Sequence, residues 1–366
     1  MAHSTLRPQI DIFCRVIDNF GDAGVLWRLA RELKFLGHPV RFIIDDETTL
    51  APLAGFSQSD GLSRYKKTFG IEVIHWEKSW DENPTPLKPS SAVIEGFACQ
   101  LPHDFEVKMS QMEKAPVWIN VDYFSAEDWI EECHMMPSVH PSLGLKKLFY
   151  FPGVTPKSGS LTIETTYEER RQAFDAKHPK TEPLKVLFFG YPYAPLKELA
   201  SALSQVKAPL QLLLTPTKAS EMLNEALSAL DCPHIEVVNL PFVDQEHFDE
   251  LLWESDIAFI RGEDSAARAM IAGVPTIWQI YAQEEDTHLI KLDALANRER
   301  DAFADEALFN SWQKFQRAYN QSCVHAELLN ELIEKHGAWS LAAQRWSETL
   351  KSYGSLAQKI STLTLS

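Results

Sequence analysis

At 366 residues the chain exceeds what a single hydrophobic core usually holds, and two domains of about 150 to 200 residues each are expected. Hydrophobic residues make up 45% and charged residues 23%, with only 15 Gly and 21 Pro, which excludes disordered, collagenous and low-complexity classes. A formal net charge of −16 with no dense basic cluster disfavours nucleic acid and anionic membranes as partners.

In chain order, strands are predicted over residues 10–17, 40–44, 71–76, 92–97, 116–121 and 147–151. Several are nearly all apolar, as parallel strands covered on both faces should be, and none is joined to the next by a two-residue hairpin turn. Between the first two, Val25, Leu26, Leu29, Ala30, Leu33 and Leu36 mark one face of a helix ending at Gly37, which makes a βαβ unit. A polar segment from 156 to 183, with a charged helix-like patch at 167–177, interrupts the rhythm and is read as the linker between a domain over 1–155 and one over 184–344. Beyond it, strands over 185–189, 210–215, 235–240, 257–260 and 276–278 alternate with helices near 195–206, 217–230, 245–254 and 265–272. From about 284 the chain reads as consecutive helices, and its end, about 345–366, is expected to reach back onto the first domain. The predicted architecture is therefore α/β: two Rossmann-like domains facing a central cleft, with ligands beyond the carboxyl ends of the strands.

Cys14, Cys99, Cys133, Cys232 and Cys323 are widely spaced with no Cys-x-x-Cys pair, which points to a reducing compartment rather than a disulfide framework or zinc site. The N-terminal residues lack the pattern of a signal peptide, and no apolar run approaches the roughly 20 residues of a membrane span. A soluble, cytoplasmic protein is expected.

Three segments carry chemistry. The first predicted strand ends in Asp18-Asn19-Phe20-Gly21-Asp22 and runs into the first helix. Its glycine spacing is not that of a dinucleotide site, and an acid at the turn would oppose a phosphate. Asp18 and Asp22 either receive a cation or a proton, or Asp22 caps the helix. The second segment, Arg261-Gly262-Glu263-Asp264-Ser265, follows a buried strand and precedes a small-residue helix at 266–272. Helix N–H groups, Ser265 and Arg261 suit a diphosphate, whereas a capped helix with solvated charges is the plainer reading. Third, Phe242 and Gln245 follow another strand end and could stack on a base and bond its edge, and Tyr191 and Tyr281 fall at similar positions. Each could alone be core or loop. No metal-ligand spacing, Walker loop or Gly-x-Ser-x-Gly elbow occurs, so no metal is called for.

Taken together, residues 12–33, 93–102, 241–252 and 260–294 resemble the protein-arginine rhamnosyltransferases that modify bacterial translation elongation factor P, the EarP family. Asp18-Asn19-Phe20-Gly21-Asp22 and Arg261-Gly262-Glu263-Asp264-Ser265 stand intact and in the family's order, while Ala266-Ala267 and the residues after Tyr191 depart from it. The resemblance implies a GT-B fold, a dTDP-β-L-rhamnose donor held by the C-terminal domain, and an arginine of elongation factor P as acceptor approaching the N-terminal one. It implies Asp22 as general base, Asp18 as its partner and Glu263 completing the acidic set, with no cofactor. Tyr191, Phe242, Gln245, Arg261, Gly262, Asp264, Ser265 and Tyr281 would hold the donor, together with Asn19, Phe20 and Gly21.

The residues agree with that chemistry. A guanidinium is always protonated in water and a poor nucleophile, so a carboxylate must orient it and accept a proton as the new bond forms. A departing diphosphate gains charge, which a helix N-terminus with an arginine stabilises, and a single displacement inverts the anomeric carbon. A GT-B enzyme acting on a small molecule or glycan, or a silent nucleotide-sugar binding protein, are the alternatives.

Overall fold

The computed structural model describes residues 7–17, 20–57, 61–180, 182–283 and 287–365. The chain divides into two compact units: Met1–Thr165 with Tyr353–Ser366, and Thr166–Ser352.

In unit 1 the described strands form one sheet in the order β3-β2-β1-β4-β5-β7-β6. These are β1 (Ile10–Cys14), β2 (Val40–Ile44), β3 (Glu72–His75), β4 (Ala92–Gly96), β5 (Val117–Val121), β6 (Pro137–Val139) and β7 (Lys146–Tyr150). All pairings are parallel except β6 with β7. β6 was not predicted: it is three exposed residues on the sheet edge, too short and polar to show a period. The first strand was predicted to reach residue 17 but ends at Cys14; the Val16 N–H leaves the sheet to donate to Asp45 at 2.9 Å.

Helix α1 (Phe20–Phe35) presents Leu26, Leu29, Ala30 and Leu33, spaced i, i+3, i+4, i+7, to the core under β1 and β2. Its approach to β4 requires Gly96, where a Cβ would come within 2.2 Å of the Leu26 Cδ1. The buried charge in β1, Asp11, is answered by Arg41 at 2.7 and 2.8 Å and by Ser90.

In unit 2, β8 (Leu184–Phe189), β9 (Leu210–Leu214), β10 (Ile235–Asn239), β11 (Ile257–Arg261) and β12 (Thr276–Gln279) form a parallel sheet in the order β10-β9-β8-β11-β12. In both units the strand order turns outward from the first strand, creating a switch point between β1 and β4 and another between β8 and β11, where such sheets open a crevice.

The predicted linker is not one element. Residues up to Thr165 are tied to unit 1, with Thr165 donating to Glu32 at 3.0 Å and Arg28 paired with Glu164 at 2.9 Å, whereas α2 (Tyr167–Asp175) belongs to unit 2. The C-terminal return is also shorter than predicted. Residues 345–352 end a helix, α3 (His336–Ser352), that packs in unit 2, where Trp346 donates to the Met270 sulfur and Ser347 to the Ile271 carbonyl. Only from Tyr353 does the chain rejoin unit 1, and Leu356, Ala357 and Ile360 of the last helix, α4 (Leu356–Thr364), enter the same core as α1.

Candidate active site

Unit 1 gathers three segments at the carboxyl ends of β1, β4 and β5. Asp22 is the third residue of α1 and only 2% exposed. One carboxylate oxygen accepts from the Ile17 N–H at 2.9 Å and the other from the Tyr123 hydroxyl at 3.3 Å. Asp22 thus sits inside the first helical turn rather than at the cap position, and it reaches back to tie down the incoming chain. Phe20, 42% exposed, and the half-buried Gly21 share that turn. Asp18 and Asn19 lie outside the described residues.

Tyr123 escaped the sequence reading; its one signal is the alternation Asn120-Val121-Asp122-Tyr123 at a strand end. Its ring stacks on Phe97 at 4.4 Å between centroids and 22° between planes.

In unit 2 the carboxyl ends of β8, β11 and β12 converge. Arg261 closes β11, its guanidinium 4.6 Å from the Phe189 ring centroid and 4.9 Å from that of Tyr191. Tyr191 is anchored by its N–H donating to Gln279 at 2.7 Å, stacks on Tyr193 at 5.1 Å and meets the exposed Tyr281 edge-on at 5.9 Å. Tyr193 was not predicted, although Tyr191-Pro192-Tyr193 after Gly190 places two rings on one side of the turn; its hydroxyl also accepts from the Ala282 N–H at 3.3 Å. Next to these rings lies a polar cavity of about 400 Å³ lined by Tyr193, Gln279, Gln283, His288 and Asn320.

Helix α5 (Glu263–Ala272) starts two residues earlier than predicted. Gly262 takes φ 71° and ψ 170°, a conformation open essentially to glycine alone, and this turns the chain directly from β11 into the helix. Glu263, Asp264 and Ser265 therefore form the first helical turn instead of a loop before it. Gly262 offers no side-chain cap to this turn. Glu263 has a cation nearby, Lys291 at 3.8 Å.

Phe242, half exposed, precedes α6 (Gln245–Glu254), whose first residue, Gln245, is buried. Asp244 caps this helix, accepting from the His247 N–H at 3.0 Å and its ring at 2.8 Å. Burial opposes ionisation of Asp244, but His247 outweighs it and holds the carboxyl below its ordinary range; Asp244 in turn raises the His247 imidazole. A buried pair, Arg268 on α5 and Asp249 on α6, bonded at 2.9 and 2.7 Å, locks the two helices together. The predicted donor residues of unit 2 thus fall on two helix starts joined by this pair and at the ends of β8, β11 and β12, with Phe242 between β10 and α6.

Two Rossmann-like units of this strand order in one chain make the GT-B glycosyltransferase fold. Solved structures agree: MurG of Acinetobacter baumannii matches with a TM-score of 0.53 at 16% identity, covering 98% of this chain and 99% of its own. VinC in complex with dTDP matches with a TM-score of 0.54 at 12% identity over 98% of each chain, and a structure of EarP, described for arginine glycosylation of translation elongation factor EF-P, with 0.60 at 24% identity over 97% of each.

The family is particular. The model for the Elongation-Factor P (EF-P) rhamnosyltransferase EarP matches residues 10–364, and the chain belongs to that family of enzymes. It is 35% identical over 369 residues to a protein-arginine rhamnosyltransferase of Pseudomonas putida, spanning 94% of this chain and 92% of the relative. To that of Pseudomonas aeruginosa it is 34% identical, spanning 92% and 94%.

Proposed function

We propose that the protein transfers L-rhamnose from dTDP-β-L-rhamnose to one arginine side chain of elongation factor P, with inversion at the anomeric carbon. The observation that carries this reading is the Asp22 carboxylate, held on both oxygens in a family whose relatives act on protein arginine. Asp22 orients the acceptor guanidinium and takes its proton as the new C–N bond forms, and the negative charge suits a substrate that is itself always cationic. Asp18 assists it.

Unit 2 holds the donor. Phe242 stacks on thymine and Gln245 bonds its edge. The diphosphate lies against the first turn of α5, where Ser265, Gly262 and the backbone N–H groups face it, while Asp264 turns away from it to sugar hydroxyls and Arg261 adds a positive charge that Phe189 and Tyr191 keep in place. These groups stabilise the charge that grows on the diphosphate as the glycosidic bond breaks. Tyr191 and Tyr281 flank the nucleotide, and Glu263 is assigned to the acidic set around the sugar. Among the described residues no group of three or more His, Cys, Asp or Glu is arranged to hold a metal ion, and no helix is long and apolar enough to cross a membrane.

The test is intact-mass analysis of elongation factor P after incubation with this protein, dTDP-β-L-rhamnose and excess EDTA. Addition of one rhamnosyl unit, mapped to an arginine, is expected. Release of dTDP without a change in the mass of elongation factor P would overturn the assigned acceptor.

A further inference from the structure

The reading of Asp22 as the base leaves open what fixes its carboxylate, and three features of unit 1 converge on one answer. First, Phe97, Ala98 and Gln100, just past β4, have φ of 52°, 52° and 58°, left-handed values that side-chain-bearing residues adopt only at a cost in free energy. Buried side chains hold them there. Asn120 accepts from the Ala98 N–H at 2.8 Å, and Glu95, itself held by Lys147 at 2.9 Å, accepts from the Gln100 N–H at 3.0 Å. The Phe97 N–H donates to the Val121 carbonyl at 2.8 Å.

Second, that turn aims Phe97 at Tyr123, giving the stacked pair described above. Third, the same Asn120 donates through its amide to Asp122 at 3.0 Å, and the other Asp122 oxygen accepts from the Tyr123 N–H at 2.8 Å. Asn120, wholly buried, therefore serves both partners of the stack, the turn under Phe97 and the backbone of Tyr123. The hydroxyl of Tyr123, fixed at ring and backbone, donates to Asp22.

We infer that Tyr123 is a positioning residue for the Asp22 carboxylate, held in register by the stack on Phe97 and by the hydrogen bond from the buried Asn120 to the half-buried Asp122. The inference rests on the proposed role of Asp22. The Ile17 N–H fixes one carboxylate oxygen and the Tyr123 hydroxyl fixes the other, so the plane of the carboxylate, and with it the direction of its lone pairs toward a guanidinium, is set by the two together.

The experiment compares Tyr123→Phe, Phe97→Leu, their double variant and Asp22→Asn in the modification of elongation factor P, with melting temperature and dTDP affinity measured alongside. Tyr123→Phe keeps the ring and its stack but loses the hydroxyl. It is expected to lower kcat about tenfold, the worth of one hydrogen bond to a charged group, with KM for elongation factor P, dTDP affinity and melting temperature unchanged. Phe97→Leu should lower kcat in the wild-type background and add almost nothing to Tyr123→Phe, because both act through the same hydroxyl. A Tyr123→Phe rate within about twofold of wild type, less than a hydrogen bond's worth, beside a large loss in Asp22→Asn would overturn the inference and leave the role of Asp22 standing. Undiminished turnover in Asp22→Asn would remove both.

Discussion

The two units share one order over five strands, and each starts a helix beside its switch point from a different side: α1 follows β1, the first strand of its unit, whereas α5 follows β11, the fourth of its own. In unit 1, α1 leaves β1 beside the switch point with Asp22 in its first turn, so the positive end of the helix is answered internally and the group presented is a carboxylate. In unit 2, α5 leaves β11 beside the other switch point and also carries acids in its first turn, Glu263 and Asp264; what differs is its cap, Gly262, which has no side chain, and Arg261 just before it. The difference teaches that the backbone decides where a site lies while one or two residues in the cap turn decide which charge it suits. Under the proposed function unit 1 takes the guanidinium and unit 2 the diphosphate.

The sharpest way to break this comparison is Asp22→Asn. The amide oxygen can still accept from the Ile17 N–H, so the fold and the melting temperature should hold, but an amide cannot take the acceptor's proton. Modification of elongation factor P is expected to slow by about 10²- to 10⁴-fold, the usual cost of losing a general base, while dTDP affinity, assigned mainly to unit 2 under the proposed function, stays the same. Equal turnover would return Asp22 to a purely structural part.

Unit 2 depends on its own frame, as unit 1 does on Asn120 and Glu95. Arg268→Ala strands the buried carboxylate of Asp249, and breaking a buried pair on one side costs about 3 to 5 kcal/mol. Thermal unfolding should show unit 2 melting earlier and dTDP binding weakened, while Arg268→Met combined with Asp249→Leu recovers most of the loss. An unchanged melting curve for Arg268→Ala would show that α5 and α6 do not need this pair.

Eleven of the described strands were legible because they are apolar or β-rich segments of ordinary length, whereas β6, three exposed residues, has no pattern to read; the order in which they pair came from the structure. At the sites, residues adjacent to strand ends could be read, and residues placed by tertiary contact could not. Arg261, Tyr191 and Phe242 follow their strands directly. Tyr123 reaches Asp22 across 101 positions of sequence, and Phe189 and Tyr193 matter through rings that meet only once the sheet has formed. The early start of α5 was missed because acidic residues after a glycine read as a turn, and only the Gly262 backbone angles show that they begin a helix. Asp18 and Asn19, prominent in sequence, lie outside the described residues.

A smaller effect probes the base-reading end of unit 2. Phe242 is half exposed, so truncation should leave the fold intact. Phe242→Ala is expected to weaken dTDP binding by about 1 to 3 kcal/mol, the range for losing an aromatic that stacks on a base, with the same loss for dTDP-β-L-rhamnose because the stack does not involve the sugar. Isothermal titration with both ligands checks it. Unaltered affinity would make Phe242 a surface residue and shift base recognition elsewhere in unit 2.

The smallest expected effect is a pH dependence confined to unit 2. Asp244 caps α6 immediately before Gln245, and His247, one turn on, donates to it from both its backbone and its ring. The His247 imidazole is raised above its ordinary 6.5 by Asp244, so its contribution is fully present below about 6.5 and is lost as the pH rises through the higher folded value. Asp244 is lowered below its ordinary 3.8, so its contribution is present above that value and lost only as the pH falls through the lower folded one. Both charges coexist between these limits, and on the alkaline side the helix keeps the backbone part of the cap while losing the ring's positive charge. The His247 side chain is 64% exposed, so solvent and salt screen the pair and the effect is slight. dTDP affinity should therefore fall a little between pH 6 and pH 8.5, about two units above the ordinary imidazole value, less so in high salt, and that fall should vanish in His247→Gln; the melting temperature also carries Glu299, whose carboxyl burial raises to about 8, and should fall over the same range in both proteins. A pH dependence of dTDP affinity that survives in His247→Gln would assign it to another group and separate the Asp244 cap from base recognition.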